Sequence, residues 1–308
     1  MREGGIDALR AEVEEQPAVL TIFARTRIPK ASKGAIFVGA GDSYAAALAG
    51  FYASQGRRIA LDPYSLASSP GIARGLEVYF VSVSGKTASN VAAARSVKGI
   101  AKSITALTSV EKSPLARHAD RVFPLPLKYQ PRTSGMLSFS LSLLVVLKLS
   151  GLGGTPDFDL AMRNAKRDRG TLELGKGTTY FLANSMGYAA ALYTAAKAYE
   201  ILGVKAHAEL LEEFSHLELF SLAKDDAVDA FSCFDPSGNA EKLVAALRKG
   251  GYSSRVIPSR GRTRTERIFH SVFAGQLCIL DAASRARLQE PKFLRAGSRL
   301  EASDSMIY

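Results

Sequence analysis

Cysteine is scarce in this chain, since only Cys233 and Cys278 occur among its 308 residues. A disulfide framework or a cysteine-ligated metal site needs more cysteines at closer spacings, so both are disfavoured. Each cysteine lies among apolar neighbours, which predicts a buried thiol rather than a nucleophile. We therefore expect chemistry that uses no metal ion.

Long apolar runs are also lacking. The most apolar stretch, residues 136–149, is too short and too rich in serine to span a membrane. The first 16 residues are charged and contain no apolar core of a signal peptide. These features predict a soluble, cytoplasmic protein without a membrane partner.

Acidic residues are fewer than basic ones: the chain has 29 aspartates and glutamates and 40 lysines and arginines, which gives a net charge of +11. Such a charge can indicate nucleic-acid binding. The basic residues are spread out, however, and no nucleic-acid motif accompanies the densest group, Arg255, Arg260, Arg262, Arg264 and Arg267. A solvated basic face explains that group equally well, and a positive field also suits a small phosphorylated substrate. We therefore expect no nucleic-acid partner.

Short apolar segments alternate with alanine- and leucine-rich stretches, which predicts an α/β protein with parallel sheets. In the first half, strands are expected at 35–38, 58–61, 78–81, 103–107 and 121–124, and helices at 44–55, 88–99 and 135–149. In the second half, strands are expected at 179–183, 227–232 and 254–257, and helices at 188–202, 268–281 and in a stretch ending at 249.

The repeated pattern predicts two doubly wound, flavodoxin-like subdomains, each a parallel sheet flanked by helices. A helical segment over 1–34 precedes the first subdomain at 35–150, and the second subdomain with a C-terminal tail covers 151–308. Residues 151–156 are rich in glycine and form the predicted linker. Polar strand ends of the two halves would lie along a shared cleft, where such sheets bind ligands.

The most informative segment is Ser82-Val83-Ser84-Gly85-Lys86-Thr87, where an apolar strand meets an alanine-rich helix. A helix start offers unpaired N–H groups and the positive end of the dipole to an anion. Hydroxyls at the same junction add donors, so the segment is suited to binding a phosphate group. Ordinary helix capping is the alternative, but it needs only one hydroxyl.

This segment resembles the phosphate loop of the SIS (sugar isomerase) family in its two-domain form, and the likeness covers nearly the whole chain. Gly39-Ala40-Gly41-Asp42-Ser43-Tyr44 is similar to the family's first substrate loop, and Glu14-Glu15-Gln16-Pro17 is similar to the segment that leads into the isomerase domain of glucosamine-6-phosphate synthase. Pro131-Arg132 resembles instead the archaeal-type bifunctional phosphoglucose/phosphomannose isomerases, in which this arginine belongs to the active site. We favour the second branch.

The resemblance also implies the catalytic residues. Both branches place a glutamate base and a histidine sixteen residues apart, and Glu200 and His216 match that separation. A carboxylate transfers a proton between C1 and C2 through an enediol, while an imidazole opens the sugar ring. Taken alone, Glu200 would be a solvated helix end and His216 a packed or capping histidine. The resemblance further implies a homodimer whose active sites are shared through His216.

Two departures from the family pattern stand out. Asp42 replaces the usual threonine of the first loop, and a carboxylate there repels phosphate, so Asp42 would bind sugar hydroxyls or cap a helix. The family also uses a lysine close to the carboxyl terminus, for which Lys292, Arg295 and Arg299 are the candidates in this chain.

Several other polar side chains are interpreted as structural. Glu209, Glu212 and Glu213 are expected on a solvated helix face, although one of them could replace Glu200 as the base. His118 and His270 are expected to be structural, and His207 to be exposed.

The leading hypothesis is therefore a cofactor-free aldose–ketose isomerase of hexose 6-phosphates. Glu200, His216 and Arg132 would be catalytic, and the substrate would be bound by residues of the two loops, namely Gly41, Asp42, Ser43, Ser82, Ser84, Gly85 and Thr87. Two alternatives stay open, a non-catalytic sugar-phosphate-binding regulator and an amino-sugar phosphate isomerase or deaminase. Regulators of this family carry an added helix-turn-helix domain, and the roughly 35 residues ahead of the first strand are too few for one.

Overall fold

The computed structural model describes residues 5–170 and 177–308. Internal contacts divide the described residues into two compact units. The first unit contains 23–154 and 296–308, and the second contains 5–22, 155–170 and 177–295. Helix α1, Ile6–Ala24, runs from the second unit to the start of the first.

The first unit is built on a five-stranded parallel sheet. Its strands are β1 (Ile36–Val38), β2 (Ile59–Leu61), β3 (Glu77–Val81), β4 (Ser103–Thr108) and β5 (Arg121–Pro124). Its helices are α2 (Asp42–Ala53), α3 (Pro63–Ser68), α4 (Ala88–Ser96) and α5 (Leu137–Leu149). The strand order is β2-β1-β3-β4-β5, which is the doubly wound order of flavodoxin-like folds.

The first core lies between this sheet and its helices. Val38, Val78 and Phe80 pack against Ala93 and other small residues of α4. On α2, a Cβ at Gly50 would collide with Val146 of α5 and lie 2.8 Å from the Phe37 ring. Glycine is therefore needed where α2 crosses α5 and β1. Helix α5 is almost wholly buried, which explains why the stretch 136–149 is the most apolar in the sequence.

The second unit repeats this architecture with four parallel strands. Its elements are α6 (Phe158–Asp168), β6 (Thr179–Ala183), α7 (Gly187–Lys197), β7 (Ala206–Leu210), α8 (Leu211–His216), β8 (Ala227–Phe231), α9 (Asn239–Lys249), β9 (Ser253–Ile257) and α10 (Arg264–Arg285). The strand order is β7-β6-β8-β9, so the chain again starts in the middle and winds to both sides. The predicted fold of two parallel sheets flanked by helices is thus confirmed.

Two local predictions for the second unit are wrong or incomplete, and one of its helices was not predicted. Glu209 does not lie on a helix, because residues 206–210 form the edge strand β7 and place Glu209 half-buried within it. The helix expected at 188–202 ends as an α-helix at Lys197 and continues as a π-helix, Ala198–Leu202. Helix α6 carries an amphipathic pattern that the sequence reading did not single out.

The C-terminal residues differ from the predicted boundary. Helix α11, Ser298–Ile307, belongs to the first unit, where it contacts α4. Its partners there include Arg132, whose guanidinium lies 3.2 Å from Asp304, and Tyr64, whose hydroxyl lies 3.9 Å from the Met306 sulfur. These contacts explain why 296–308 does not group with the rest of 151–308.

The arginine cluster and the cysteines also have defined environments in the second unit. Arg255 is not a solvated side chain, because its Nε and Nη2 donate to the two oxygens of the buried Asp229 carboxylate, at 2.6 and 2.7 Å. Cys233 and Cys278 are buried as predicted, and burial raises the pKa of their thiols to about 12 and about 11. Neither thiol is therefore a nucleophile near neutral pH.

Candidate functional site

The two predicted substrate loops of the first unit lie side by side. The first loop, residues 39–44, follows β1, and the phosphate loop, residues 82–87, follows β3. Strands β1 and β3 are paired in parallel, with Val38 opposite Phe80, so both loops leave the same edge of the sheet. Strand β2 lies on one side of β1, and β3 lies on the other, so the strand order reverses at β1. Doubly wound sheets bind ligands at such a topological switch point, at the carboxyl ends of the strands.

The phosphate loop is shaped by a glycine. Gly85 has φ of +60°, and a Cβ at this position would collide with the Ser113 hydroxyl. The loop is fixed to the neighbouring loop after β4, because the Thr108 and Ser109 hydroxyls donate to the Val83 carbonyl at 3.0 and 2.9 Å. The backbone of the loop is therefore held in one conformation.

The hydroxyls of this loop have different environments. Ser82 and Ser84 are buried, with 3% and 8% exposed, and the Ser84 hydroxyl accepts a hydrogen bond from the Lys86 N–H at 3.2 Å. Thr87 is the N-cap residue of α4, yet its side chain makes no capping hydrogen bond. The capping interpretation therefore fails for the side chain of Thr87, a half-buried residue at the start of α4.

One residue that the sequence reading missed adjoins this loop. Tyr129 contacts it from the segment after β5, since the Lys86 ammonium lies 5.7 Å from the centre of the Tyr129 ring. Burial raises the pKa of the Tyr129 hydroxyl, the nearby Tyr308 adds to the rise, and a hydrogen bond with Ser84 acts against it. Only three-dimensional contacts reveal this residue, because no spacing in the sequence links it to the loop.

The first loop also depends on close approach of its backbone. A Cβ at Gly39 would collide with the Ser43 backbone, and Gly41 has φ of +56°. Asp42 opens α2 without acting as its N-cap, and its Oδ2 would lie 3.7 Å from a Cβ at Gly135. The carboxylate thus sits at the positive end of a helix, which stabilises its charge.

Arg132 is placed differently from the two loops. It is an exposed residue in the left-handed region, with φ of +58°, and it forms an ion pair with Asp304 of α11. Its side chain is 64% exposed. The structure therefore shows Arg132 paired with a carboxylate of its own unit.

Glu200 lies in the second unit, on the π-helix that follows α7. Its Oε2 accepts a hydrogen bond from the Lys197 ammonium at 2.6 Å. The Lys197 side chain is only 1% exposed, whereas 35% of the Glu200 side chain is exposed. Single π-helical turns are frequent at functional sites, because the extra residue redirects one side chain.

Lys197 is the main residue that the sequence reading missed. Its ammonium also lies 5.3 Å from the centre of the buried Tyr193 ring, whose hydroxyl accepts a hydrogen bond from Gln276 at 3.1 Å. A lysine within an otherwise alanine-rich helix, three residues before the predicted base, was the available signal. Burial of a lysine requires a charge partner, and Glu200 supplies one.

Of the three candidates for the carboxyl-terminal lysine, Lys292 adjoins the Glu200 segment. Its side chain passes over Gly203, where an added Cβ would lie 3.1 Å from the Lys292 Cδ. Gly203 ends the π-helix in the left-handed conformation, with φ of +64°. Arg295 instead pairs with Glu290 at 2.5 Å, and Arg299 lies on α11 in the first unit.

His216 is exposed at the end of α8. Its Nε2 lies 3.2 Å from Glu212 Oε1, one helical turn earlier, and its side chain is 70% exposed. Among the described residues, no hydrogen bond or ion pair joins His216 to Glu200. Leu217 and Phe220, which follow it, are 62% and 83% exposed.

The remaining ionisable candidates have structural environments. Burial raises the pKa of Glu209, and the nearby Glu218 carboxylate adds to the rise. His270 is fully buried, with Nε2 3.3 Å from Asp168, and burial lowers its pKa. His207 is exposed and stacks on Tyr180, with ring centres 5.9 Å apart.

Metal and membrane features were also sought within residues 5–170 and 177–308. No group of three or more histidine, cysteine, aspartate or glutamate side chains there could hold a metal ion. No helix there is both long enough and apolar enough to cross a bilayer.

Solved structures share this fold over nearly the whole chain. No protein-family model and no curated protein sequence matches it. A glucosamine-6-phosphate deaminase from Thermotoga maritima is 20% identical with a TM-score of 0.73, over 92% of this chain and 96% of that one. The C-terminal domain of glucosamine-fructose-6-phosphate aminotransferase from Francisella tularensis is 16% identical with a TM-score of 0.69, over 92% and 98%. Tagatose-6-phosphate ketose/aldose isomerase from Escherichia coli is 17% identical with a TM-score of 0.66, over 91% and 88%.

Proposed function

We propose that this chain is a SIS-type phosphosugar isomerase that interconverts aldose and ketose hexose 6-phosphates through an enediol. The main observation in support is that the half-exposed Glu200 carboxylate accepts a hydrogen bond from the buried Lys197 ammonium at 2.6 Å. The likeness of fold to proteins named as phosphosugar enzymes supports the same class. Glucose or mannose 6-phosphate with fructose 6-phosphate is the substrate pair that we infer, following the resemblance of Pro131-Arg132.

In this proposal Glu200 is the base that transfers a proton between C1 and C2. Lys197 fixes Oε2, while Oε1 makes no hydrogen bond to any described residue and is the oxygen available to the substrate. Lys197 is a positioning residue, since it acts by holding the carboxylate and by stabilising its charge. A carboxylate held in one orientation loses less entropy when the proton is transferred.

The phosphate loop would bind the substrate phosphate through neutral donors. Ser82, Ser84 and Thr87 supply hydroxyls, and Gly85 lets the backbone approach the anion. The Thr87 hydroxyl, which caps nothing, supports this role. Lys86 adds a positive charge beside the loop. Gly41, Asp42 and Ser43 on the neighbouring loop would bind sugar hydroxyls.

Two further roles follow from the same proposal. Arg132 would stabilise the developing enediolate once substrate competes with Asp304 for its guanidinium. His216 would open the sugar ring, and its exposed apolar neighbours Leu217 and Phe220 fit burial against a second copy of the chain. We therefore propose a homodimer in which His216 serves the partner's site.

A coupled assay over glucose, mannose and fructose 6-phosphates tests the proposal. We expect turnover of at least one pair, and loss of turnover in Glu200→Gln with substrate binding retained. A folded protein that binds these sugars without turnover, with equal affinity in Glu200→Gln, would identify a binding module instead.

Amino-sugar deamination is the second candidate, and the fold similarity to a glucosamine-6-phosphate deaminase favours it. The two reactions share the proton transfer between C1 and C2, but deamination also takes up water and releases the C2 nitrogen as ammonia. Ammonia release from glucosamine 6-phosphate, without isomerisation of glucose 6-phosphate, would select deamination.

A further inference from the structure

A second cationic site lies in the first unit, away from the phosphate loop. Lys30, Lys33, Arg57 and Arg58 line an open recess of about 280 Å³ together with Ala31. These residues precede β1 and β2, whereas the substrate loops follow β1 and β3. Because the strands are parallel, the recess lies at the opposite end of the sheet, roughly 10–16 Å away along strands of three to five residues.

Arg58 has the least accessible guanidinium of this set. Only 3% of the residue is exposed, and its Nη1 and Nη2 donate to the Ser150 and Ala31 carbonyls at 3.4 and 2.5 Å. Its Nε is buried and has no hydrogen-bond partner. Carbonyl oxygens satisfy donors but do not neutralise the charge, and a buried charge without a counter-charge is costly.

Burial lowers the pKa of the Arg58 guanidinium, and the nearby Glu77 carboxylate acts against that shift. This carboxylate already has other partners. Glu77 accepts hydrogen bonds from the Ser32 N–H at 2.9 Å and the Tyr79 hydroxyl at 3.1 Å, and it pairs with Lys102 at 3.7 Å. It therefore does not supply the counter-charge that four cations require.

The other three cations of the recess also lack acidic partners. Within the described part of the chain, none of them forms an ion pair with a carboxylate. Arg57 donates to the neutral Gln55 amide at 3.1 Å, and Lys30 lies against Gly151, where an added Cβ would be 3.0 Å from its ammonium. Four like charges around one recess repel one another unless an anion separates them.

We propose that this recess binds a small anion that carries two or more phosphate groups. Arginine forks and lysine ammonium groups are the side chains that recognise phosphate oxygens. Four positive charges match a diphosphate or triphosphate better than one phosphate group. The concave shape and modest volume favour a small ligand over a nucleic-acid duplex, whose phosphates need an extended surface. This site does not depend on the proposed isomerase activity.

Calorimetric titration of the full chain with inorganic tripolyphosphate tests the proposal. We expect binding that weakens at least tenfold in Lys33→Ala/Arg57→Ala, which changes two exposed residues and spares the buried Arg58. The matched control Lys242→Ala/Lys249→Ala removes two exposed charges from α9 and should keep wild-type affinity. In Ser84→Ala/Thr87→Ala, which weakens the phosphate loop, the tripolyphosphate binding that Lys33→Ala/Arg57→Ala removes should remain.

Three results would overturn the proposed site. The first is that the wild-type chain does not bind tripolyphosphate. The second is that Lys242→Ala/Lys249→Ala weakens binding as much as Lys33→Ala/Arg57→Ala does, and the third is that only Ser84→Ala/Thr87→Ala removes binding. Parallel titrations with ATP and fructose 1,6-bisphosphate identify the source of the phosphates. A preference for either ligand supports the site if Lys33→Ala/Arg57→Ala removes that binding as well.

Discussion

Lys197 is the residue on which the proposed chemistry of Glu200 depends most directly. We predict that Lys197→Met, a neutral side chain of similar length, lowers kcat about 10–100-fold and changes KM little. A hydrogen bond to a charged group contributes about 1.5–3 kcal/mol, which corresponds to that factor. Steady-state kinetics with the preferred hexose 6-phosphate measure the effect.

Lys205→Met serves as the control for Lys197→Met, because Lys205 is exposed in the same unit. Its kinetic constants should equal those of the wild type. If Lys197→Met is folded by circular dichroism and keeps the wild-type kcat, the positioning role is wrong. A rise in KM alone would place Lys197 in substrate binding instead.

Thr87 distinguishes phosphate binding from helix capping. Its side chain caps nothing, so Thr87→Ala should change the free energy of unfolding by less than about 0.5 kcal/mol. The same variant should raise KM for the phosphorylated sugar, because it removes a hydrogen-bond donor to the phosphate. A hydrogen bond to a charged group contributes about 1.5–3 kcal/mol.

Thr263→Ala is the matched control for Thr87→Ala. Thr263 accepts a hydrogen bond from the Glu266 N–H at 3.1 Å in a capping box at the start of α10. Its loss should cost about 1 kcal/mol in urea unfolding. Equal destabilisation by both variants, with unchanged KM for Thr87→Ala, would mean that Thr87 is only a structural residue.

Residues at the ends of strands were predictable, and buried partners were not. Ser82, Ser84 and Thr87 form a local motif, and the structure places them on one loop. Lys197 and Tyr129 act through contacts that depend on the packing of whole elements. A polar side chain in a helix or loop carries no local sign of whether it is buried.

At the scale of elements, the interaction of α6 with α10 gives a pH prediction. Burial acts to raise the pKa of Asp168 on α6, but hydrogen bonds and charge interactions with Arg167 and Arg260 outweigh it and lower the pKa to about 2. The folded pKa lies below the ordinary value of 3.8, so the stabilisation is complete above about pH 5. It is lost as the pH falls toward 2.

We therefore predict that Asp168→Asn lowers the free energy of unfolding by about 2 kcal/mol at pH 7, and that this difference disappears near pH 2. Urea titrations at several pH values measure it. Asp159→Asn, an exposed change in the first turn of the same helix, should lower the unfolding free energy by less than about 1 kcal/mol, the usual effect of a carboxylate near a helix N-terminus. A difference for Asp168→Asn that is independent of pH would contradict the role of its charge.

Most elements of both sheets were predictable because buried parallel strands are short apolar runs. Strand β7 was missed because it is an edge strand whose alternate residues, His207 and Glu209, are polar. It also runs directly into α8 at Leu211 without glycine or proline to mark the boundary. The π-helix was missed because it is a single turn of five residues at the end of α7, too short for its wider spacing to show in the apolar pattern.

At the scale of the whole molecule, the shared-site homodimer is the main prediction. Mixing Glu200→Gln with His216→Ala, each inactive alone, should restore part of the activity, because mixed dimers contain one intact site. Burial of large apolar side chains such as Phe220 contributes about 1.5–3 kcal/mol each and favours such an interface. Light scattering and activity after subunit exchange are the measurements.

Phe220→Ser is a useful companion variant, because it changes an exposed side chain and leaves both catalytic candidates in place. It should weaken the dimer in light scattering. A wild-type chain that is monomeric, or a mixture that regains no activity after demonstrated exchange, would reject the shared site.

Proton exchange in deuterated water tests the central claim most directly. The protein is incubated with fructose 6-phosphate, and NMR follows the hydrogens on C1 and C2. We predict deuterium incorporation with formation of an aldose 6-phosphate, and a decrease of about 10²–10⁴-fold in Glu200→Gln, the range for loss of a general base. Binding of fructose 6-phosphate by the folded protein without any exchange at C1 or C2 would contradict the account.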